Sequence, residues 1–155
     1  MNGPSSIDIR GGDVDEVVAS GLLRELDDEL MSRYPGSPVF GIDGSEAASA
    51  KVYFVIARSG ADVIGCGAFR PFDSGCVEIK RMFVRPAYRG RGVARQILQS
   101  LHAEARSRGY AFSVLETGMR QPEAIALYES EGYRRTELFG PYVGNALSVC
   151  FRRKL

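Results

Sequence analysis

"RMFVRPAYRGRGVARQIL", residues Arg81–Leu98, joins an extended apolar segment to a helical one, and it holds five arginines and two glycines. A helix N-terminus exposes unpaired backbone N–H groups and the positive end of the helix dipole, so it binds phosphate where side chains leave room. Gly90 and Gly92 leave that room. Arg89 and Arg91 add guanidinium groups that pair with phosphate oxygens in a bidentate manner. The stretch therefore predicts a pyrophosphate-binding cradle.

This cradle differs from two common phosphate-binding loops. The chain contains no GxxxxGK[ST] sequence, and its GRG spacing lacks the GxGxxG pattern of a dinucleotide-binding fold. The predicted pyrophosphate therefore belongs to another kind of cofactor.

The segments around the cradle predict a strand, helix, strand crossover. Cys76–Val84 is the first strand, and Pro86 ends it. A second strand is expected at Ala111–Leu115. The helix between them shows apolar residues at helical spacing and ends at the C-terminal cap residue Gly109; these residues are Val93, Ile97, Leu101 and Ala105.

The N-terminal third predicts a strand, one long helix and a hairpin. The strand is Ile7–Arg10, and the helix begins after Asp13, with Glu16 completing a capping box, and ends near Arg33. The Gly-, Pro- and Ser-rich segment 34–50 predicts a long surface loop. β-Branched and aromatic residues at 52–58 and 62–70 predict an antiparallel hairpin.

The C-terminal third adds a helix from Pro122 to Gly132 and two strands, at Tyr133–Leu138 and Ala146–Arg153. The full order is β, long α, three β, α, β, α, two β. This order implies an α/β fold with a mixed sheet flanked by helices. The length of 155 residues fits one domain, residues 1–155, with a core of its own.

Charge and cysteine content exclude several classes of protein. The net charge is +1, from 20 basic and 19 acidic residues, so the overall field would hold neither a nucleic acid nor an anionic membrane. The three cysteines, Cys66, Cys76 and Cys150, form no CxxC pair, and one histidine is present, so we expect no metal site. Isolated cysteines are typical of reduced thiols in a cytoplasmic protein, and no apolar stretch resembles a signal peptide or membrane span.

Two motifs resemble those of a known family. "VRPAYRGRGVA", Val84–Ala94, resembles the acyl-CoA-binding signature of the GNAT superfamily of N-acyltransferases, and "QPEAIALYESEGY", Gln121–Tyr133, is similar to the next motif of that family. The order of elements also matches. The resemblance implies a mostly antiparallel sheet of six to seven strands with about four helices, whose central parallel strands splay at a bulge after Leu115.

The resemblance implies acetyl-CoA as the co-substrate, with no metal. The pantetheine arm would pair with the backbone of Met82–Val84 in the manner of an added strand, and an amide near Met82 or Phe83 could hold the thioester oxygen. Gln121 stands where related sequences often carry Asn. The implied cofactor-binding residues are Met82, Phe83, Val84, Arg89, Gly90, Arg91, Gly92, Val93, Ala94 and Gln121.

The implied reaction is direct attack of an amine on the acetyl group. An alkylamine has a pKa of roughly 10, so a base must remove a proton. Glu78 is the first candidate, because strand alternation places it with Lys80 and Met82 on one face unless a bulge intervenes. Glu116 is the second candidate. Tyr128, at the position of the family's general acid, would protonate the leaving thiolate.

The acceptor site is less defined by the sequence. The resemblance places Tyr34 and Phe40 in the acceptor cleft, although either residue could equally anchor the loop. Arg81 and Lys80 could recognise a carboxylate on the acceptor, or they could be ordinary charged residues of a half-exposed strand.

We therefore expect a cytoplasmic enzyme that acetylates a small primary amine, either amino-acid-like or an aminated metabolite. One alternative is a protein or peptide N-acetyltransferase, whose cleft would admit an extended chain. Another is a non-catalytic module that senses acyl-CoA. A homodimer is compatible with the family resemblance, and neither a nucleic acid nor a membrane is an expected partner.

Overall fold

A computed structural model describes residues 6–37, 40–42 and 51–155. The helices and strands, in chain order, are β1 (Ile7–Gly12), α1 (Val14–Ser20), α2 (Leu22–Arg33), β2 (Tyr53–Ser59), β3 (Asp62–Asp73), β4 (Cys76–Val84), α3 (Val93–Ser107), β5 (Phe112–Gly118), α4 (Pro122–Ser130), β6 (Arg134–Thr136) and β7 (Ser148–Lys154). Two short 3-10 helices, Pro86–Tyr88 and Gly140–Tyr142, lie in the connections. Most of the predicted loop 34–50 lies outside the described residues.

The strands form one sheet in the order β1-β2-β3-β4-β5-β7-β6. All neighbours are antiparallel except β4 and β5, which the α3 crossover makes parallel. The pairing of β2 with β3 confirms the predicted hairpin. The predicted fold class is confirmed: in the described part of the chain, a mixed, mostly antiparallel sheet of seven strands carries four α-helices.

The first predicted helix is two helices in the structure. Gly21 adopts a φ of 80° between α1 and α2, a left-handed conformation that ends α1. Apolar residues recur at helical spacing through both helices, so in sequence the segment resembles a single helix. Asp13 caps α1 by accepting a hydrogen bond from the Asp15 amide at 2.9 Å. The predicted capping box is wrong, because Glu16 forms an ion pair with Arg58 on β2 instead.

A bulge divides β4 into two halves. The last pairing with β5 joins Ile79 to Leu115, and β4 carries one extra residue opposite β3 between Lys80 and Phe83. Arg81 has a φ of 58° there, a left-handed conformation that costs a non-glycine residue about 1 to 2 kcal/mol. The two strands have no pairing beyond Ile79 and Leu115, which is the expected splay.

The bulge decides which side chains of β4 share a face. Lys80 stands opposite Ala68, which belongs to the core under α1 and α2. Met82 instead packs into the core under α3, on the other face of the sheet. The additional residue reverses the alternation of side chains along β4. Met82 therefore does not lie on the same face of the sheet as Glu78 and Lys80.

Helix α2 is tied to β4 and to the turn after it by three ion pairs. The N···O distances are 2.9 Å for Glu25–Arg85, 2.7 Å for Asp27–Arg81 and 2.9 Å for Glu29–Arg89. Each pair is partly exposed and contributes about 1 kcal/mol or less. Together they hold α2 over the region where β4 leaves β5.

The state of the cysteines and the lengths of the helices complete the description of the fold. Cys66, Cys76 and Cys150 are buried in strands as free thiols. Burial raises the pKa of Cys66 to about 12 and that of Cys76 to about 11. No helix among residues 6–37, 40–42 and 51–155 is long and apolar enough to cross a membrane.

Candidate active site

Two cavities lie side by side where β4 and β5 diverge. The α3 cavity, of about 280 Å³, lies against the N-terminus of α3 and is lined by Phe83, Val84, Arg89, Gly90, Gly92 and Ala94 among others. The β5 cavity, of about 160 Å³, lies over the end of β5 and is lined by Tyr34, Phe40, Lys80, Glu116, Tyr142 and Ser148 among others. Of the described residues, five line both: Leu26, Met82, Gln121, Ala124 and Tyr128. The cavities therefore meet beside Tyr128.

The residues of the α3 cavity fit a pyrophosphate. Gly90 and Gly92 have φ values of 78° and 77°, and a Cβ built on either would meet no atom within 4 Å, so a side chain there would occupy open cavity. Gly92 caps α3 without a side-chain hydrogen bond, and the first turn carries no acidic residue. The backbone amides and the positive end of the dipole thus face space that an anion could occupy.

Arg89 reaches the α3 cavity but already holds a partner. Its Nε donates to Val84 O at 2.8 Å, and its Nη1 and Nη2 lie 2.9 and 3.2 Å from the Glu29 carboxylate. Arg33 is 3.8 Å from Glu29 and 2.8 Å from Glu123. An anion entering this cavity therefore competes with Glu29 for the Arg89 guanidinium. The Arg91 guanidinium stacks on Tyr88 at 5.4 Å.

Tyr128 stands at the junction of the cavities, on α4. Pro122 begins this helix, so Tyr128 falls on its second turn, buried against Tyr133 with ring centroids 5.8 Å apart. Burial, with a smaller contribution from Glu116, raises the pKa of the Tyr128 hydroxyl far above its usual range. The hydroxyl therefore stays protonated at neutral pH and can donate a proton.

Glu116 is the carboxylate that lines the β5 cavity. It follows Leu115, the last residue of β5 paired with β4. Ser148, at the start of β7, donates a hydrogen bond to Glu116 Oε2 at 2.7 Å. Burial raises the pKa of Glu116, and the Ser148 hydrogen bond and the charge of Lys80 partly oppose that rise. A carboxylate with a raised pKa accepts protons more readily at neutral pH.

Glu78 lies behind the β5 cavity and has other partners. Its exposed fraction is 1%, and it lines neither cavity formed by the described residues. Arg70 donates to Oε1 at 2.9 Å, and the Tyr142 hydroxyl donates to Oε2 at 2.6 Å. Lys80 Nζ in turn donates to the Tyr142 hydroxyl at 3.1 Å.

Tyr34 and Gln121 meet above the junction. The Tyr34 hydroxyl accepts the Arg120 amide at 2.9 Å and lies 3.4 Å from Gln121 Oε1. Gln121 Oε1 also accepts the Gly118 amide at 3.1 Å. A Cβ on Gly118 would lie 1.8 Å from the Tyr34 hydroxyl, so only glycine permits this approach. These contacts join the end of α2 to the β5–α4 turn.

The structure brings most of the predicted site residues together. Phe40 and Arg81 line the β5 cavity with Tyr34 and Glu116. Val93 lines the α3 cavity with the remaining predicted cofactor residues except Arg91, which lines neither cavity in the part of the chain that is described. Among these same residues, no group of three His, Cys, Asp or Glu could hold a metal.

Several residues of the site carry no motif that could have revealed them. Tyr142 belongs to the 3-10 helix Gly140–Tyr142, for which Pro141 is a weak sequence signal. Ser148 is a strand residue opposite Gly118. Glu29 and Leu26 reach the cavities from α2, where the sequence predicts a helix and nothing marks either residue as part of a site. Their roles depend on tertiary contacts.

The sequence profile described as the Acetyltransferase (GNAT) family matches residues 19–133. A protein of Azospirillum brasilense named IAA acetyltransferase is 37% identical over 135 residues, covering 86% of this chain and 88% of its own. The uncharacterized N-acetyltransferase YsnE of Bacillus subtilis is 31% identical over 147 residues, covering 92% of this chain and 97% of its own.

Solved structures share the same architecture. A Klebsiella pneumoniae protein described as an acyl-CoA N-acyltransferase superposes with a TM-score of 0.80 at 29% identity, covering 97% of this chain and 99% of that one. A GNAT acetyltransferase of Elizabethkingia anophelis with acetyl-CoA bound superposes with a TM-score of 0.69 at 19% identity, covering 96% and 98%. The second likeness concerns the fold alone.

Proposed function

This chain belongs to the GNAT family of acetyl-CoA-dependent acetyltransferases, and we propose that it acetylates the primary amine of a small amino-acid-like or aminated metabolite. The observation that carries the proposal is the position of Tyr128, which lines both cavities. Its hydroxyl can serve a donor held in the α3 cavity and an acceptor held in the β5 cavity. Glu116 lies within the second of these.

The α3 cavity is the proposed donor site. When bound, acetyl-CoA supplies an activated acetyl thioester and a thiolate leaving group. The amides at Gly90 and Gly92 and the dipole of α3 would hold the pyrophosphate, assisted by Arg89 once it leaves Glu29. The free edge of β4 beyond the bulge, Met82–Val84, would pair with the pantetheine arm, since β5 has left that edge.

Glu116 is the proposed general base. It lines the β5 cavity, whereas Glu78 is enclosed by Arg70 and Tyr142. Burial raises the pKa of Glu116 toward the working pH, which makes the carboxylate a better proton acceptor than an exposed one. It would take a proton from the amine directly or through one water.

Tyr128 is the proposed general acid. Burial holds the hydroxyl in its protonated form, since it raises the pKa of Tyr128. From the junction of the cavities the hydroxyl would donate a proton to the departing thiolate as the acetyl group passes to the amine.

The size of the β5 cavity supports a small acceptor. Its volume of about 160 Å³ lies below the roughly 300 to 1,000 Å³ typical of sites for drug-sized ligands. The Azospirillum relative is named for acetylation of IAA, and its similarity over 86% of this chain supports a small-molecule acceptor here. The free, buried thiols of Cys66, Cys76 and Cys150 support a reducing compartment.

Acetyl-CoA binding by calorimetry, followed by thiol release with a panel of amines, amino acids and short peptides, tests the proposal. We expect binding together with thiol release that is selective for small amines. Binding without release from any amine would favour a sensor of acyl-CoA over an enzyme. Faster release with peptides than with free amines would replace the small acceptor by a protein.

A further inference from the structure

Two side chains that can donate a hydrogen bond meet at the junction of the cavities. Within the described part of the chain, five residues line both cavities, and the side chains of Leu26, Met82 and Ala124 carry no donor. The other two are Tyr128 and Gln121. The proposed function uses Tyr128 as the general acid and gives the Gln121 side chain no part in the reaction.

The orientation of the Gln121 amide follows from its partners. The Gly118 backbone amide lies 3.1 Å from one end of the side chain. A backbone N–H can only donate, so that end of the side chain is the oxygen, Oε1. The Tyr34 hydroxyl lies 3.4 Å from the same atom. Oε1 therefore faces the β5–α4 turn, and Nε2 is the opposite end of the amide.

The Gln121 Nε2 atom keeps its N–H donors available. No residue in 6–37, 40–42 or 51–155 accepts a hydrogen bond from it, although every fully buried side-chain nitrogen or oxygen in these ranges has a partner. Nε2 is therefore open to solvent, on a half-buried residue that lines both cavities. An uncharged donor of fixed orientation thus stands at the junction.

We propose that Gln121 Nε2 donates a hydrogen bond to the carbonyl oxygen of the acetyl group while the amine attacks that group. This inference rests on the proposed function, which places the acetyl group between the cavities. As the nitrogen–carbon bond forms, the C=O electron pair moves onto the oxygen, and Nε2 stabilises this negative charge without losing its proton. The C=O bond re-forms as the carbon–sulfur bond breaks. Tyr128 protonates the sulfur, and Glu116 holds the proton of the amine.

The contact of Gln121 with Gly118 suits this task. A donor contributes most when it is already oriented before the charge develops, because no reorganisation is then needed during the reaction. The Gly118 amide holds Oε1 in the structure without substrates, so Nε2 is oriented in advance. The family resemblance implies one donor on β4, an amide near Met82 or Phe83. Gln121 would supply a second donor from the turn that follows β5.

Nuclear magnetic resonance of the isotope-labelled protein tests the contact without turnover. The Gln121 side-chain signal is assigned by its absence in Gln121→Met, and acetyl-CoA or CoA is added without an amine. Acetyl-CoA should move one of the two proton signals of this amide downfield, and CoA, which lacks the acetyl carbonyl, should not. A signal that responds equally to both ligands, or to neither, overturns the inference.

Asn145 provides an internal control for this measurement. Its Oδ1 accepts a hydrogen bond from the Leu147 amide at 3.1 Å, so its side-chain amide is also held by the backbone. Of the two cavities formed by the described residues, Asn145 lines only the β5 cavity. Its signal should respond to neither ligand. An equal downfield shift of the Asn145 signal would indicate a general change in the protein and would overturn the assignment to Gln121.

Two substitutions test the effect on the rate. Gln121→Glu keeps an oxygen for the Gly118 amide but replaces Nε2 by a second oxygen, and Gln121→Met removes both polar atoms. With the amine of the panel that gives the fastest thiol release, kcat should fall about 100- to 1,000-fold in either variant. Calorimetry should show near-native acetyl-CoA affinity in Gln121→Met. A loss of affinity with unaltered kcat would make Gln121 a binding contact for CoA and would overturn the inference.

The outcomes separate this inference from the function on which it rests. Acetyl-CoA binding and thiol release, with a Gln121 signal that ignores the acetyl group, overturn the inference and leave the acetyltransferase proposal standing. Absence of acetyl-CoA binding to the native protein overturns both.

Discussion

The Tyr142 hydroxyl lies 2.6 Å from Glu78 Oε2 and donates a hydrogen bond to it. Tyr142 lines the β5 cavity, and among the described residues Glu78 does not. The tyrosine therefore covers the carboxylate that strand alternation made the first candidate for the base. Burial, followed by the hydrogen bond to Glu78, raises the pKa of the Tyr142 hydroxyl, which stays a donor at neutral pH.

Glu116→Gln should abolish the acid limb of the pH–rate profile, which is the fall in kcat at low pH. The base works only when deprotonated, so the rate of the native enzyme falls as pH drops below the raised pKa of Glu116. We expect kcat to drop about 100-fold or more near neutral pH, with acetyl-CoA affinity retained. Steady-state kinetics across pH measure both.

Glu78→Gln and Ser148→Ala are the matched controls for this base. Glu78→Gln should keep the acid limb and lower stability, because it disturbs a buried cluster. Ser148→Ala removes a hydrogen bond that favours the charged form, so the limb should move to higher pH. A limb that survives in Glu116→Gln and vanishes in Glu78→Gln would reverse the assignment.

Tyr128→Phe should lower kcat by about 100- to 10,000-fold, the usual contribution of a general acid. Its effect on acetyl-CoA affinity should be far smaller, since the change removes one hydroxyl. Tyr133→Phe is the control, because Tyr133 contacts the Tyr128 ring but bonds to His102 and Ser113. It should reduce the free energy of unfolding and leave kcat near native. An unaltered kcat in Tyr128→Phe would remove it as the acid.

Gly92→Val should weaken acetyl-CoA binding at least about tenfold. Its side chain would enter the α3 cavity and would also strain a backbone with a φ of 77°. Gly109→Val separates the two effects, because Gly109 has a φ of 89° at the far end of α3. Calorimetry should show native affinity in Gly109→Val despite lower stability. Equal losses of affinity would attribute the effect to strain.

Glu29→Gln should tighten acetyl-CoA binding. Glu29 holds Arg89 at 2.9 Å beside the α3 cavity, so a bound phosphate must displace a carboxylate. Removing an ion pair worth about 1 kcal/mol should strengthen affinity roughly fivefold. Glu25→Gln makes the same change of charge on α2 at an ion pair with Arg85. If it strengthens affinity equally, the effect comes from overall charge rather than from Arg89.

His102 should make the fold sensitive to acid. Burial, then the charges of Arg153 and Arg106, lowers the pKa of His102 from 6.5 to about 4, and Glu131 opposes the shift. The unfolded chain therefore binds a proton at a higher pH than the folded one. The contribution of His102 to the free energy of unfolding is fully present above pH 6.5. It falls by about 3 kcal/mol as pH drops toward 4. Denaturant melts of the native protein and His102→Gln should show a smaller acid loss in the variant.

Local sequence predicted the parts of the molecule that local rules govern. Pro86 ends β4 at the predicted Val84, and the cradle around Gly90 and Gly92 is continuous in sequence. The break at Gly21 was not predicted, because the apolar spacing continues across it. A glycine in a periodic segment does not by itself specify a left-handed residue.

The candidate site depends on contacts that no local rule contains. The bulge at Arg81 moves Met82 to the face under α3, and two-residue alternation cannot anticipate an additional residue. Tyr142 lies 62 and 64 residues from Lys80 and Glu78 in sequence, yet it bonds to both. The choice between Glu78 and Glu116 as the general base could therefore be argued only from the folded structure.

The meeting of the two cavities beside Tyr128 sets a limit on the reaction partners. With the donor in the α3 cavity and the acceptor in the β5 cavity, as proposed, the transferred acyl group would lie at this junction. Any carbon added to it would extend into the β5 cavity of about 160 Å³. A longer acyl chain on the donor would then leave less room for the acceptor. A substitution that removes side-chain volume at Leu26 or Ala124 would give more room to the acyl chain and to the amine. A broader acyl range and a broader amine range should therefore evolve together.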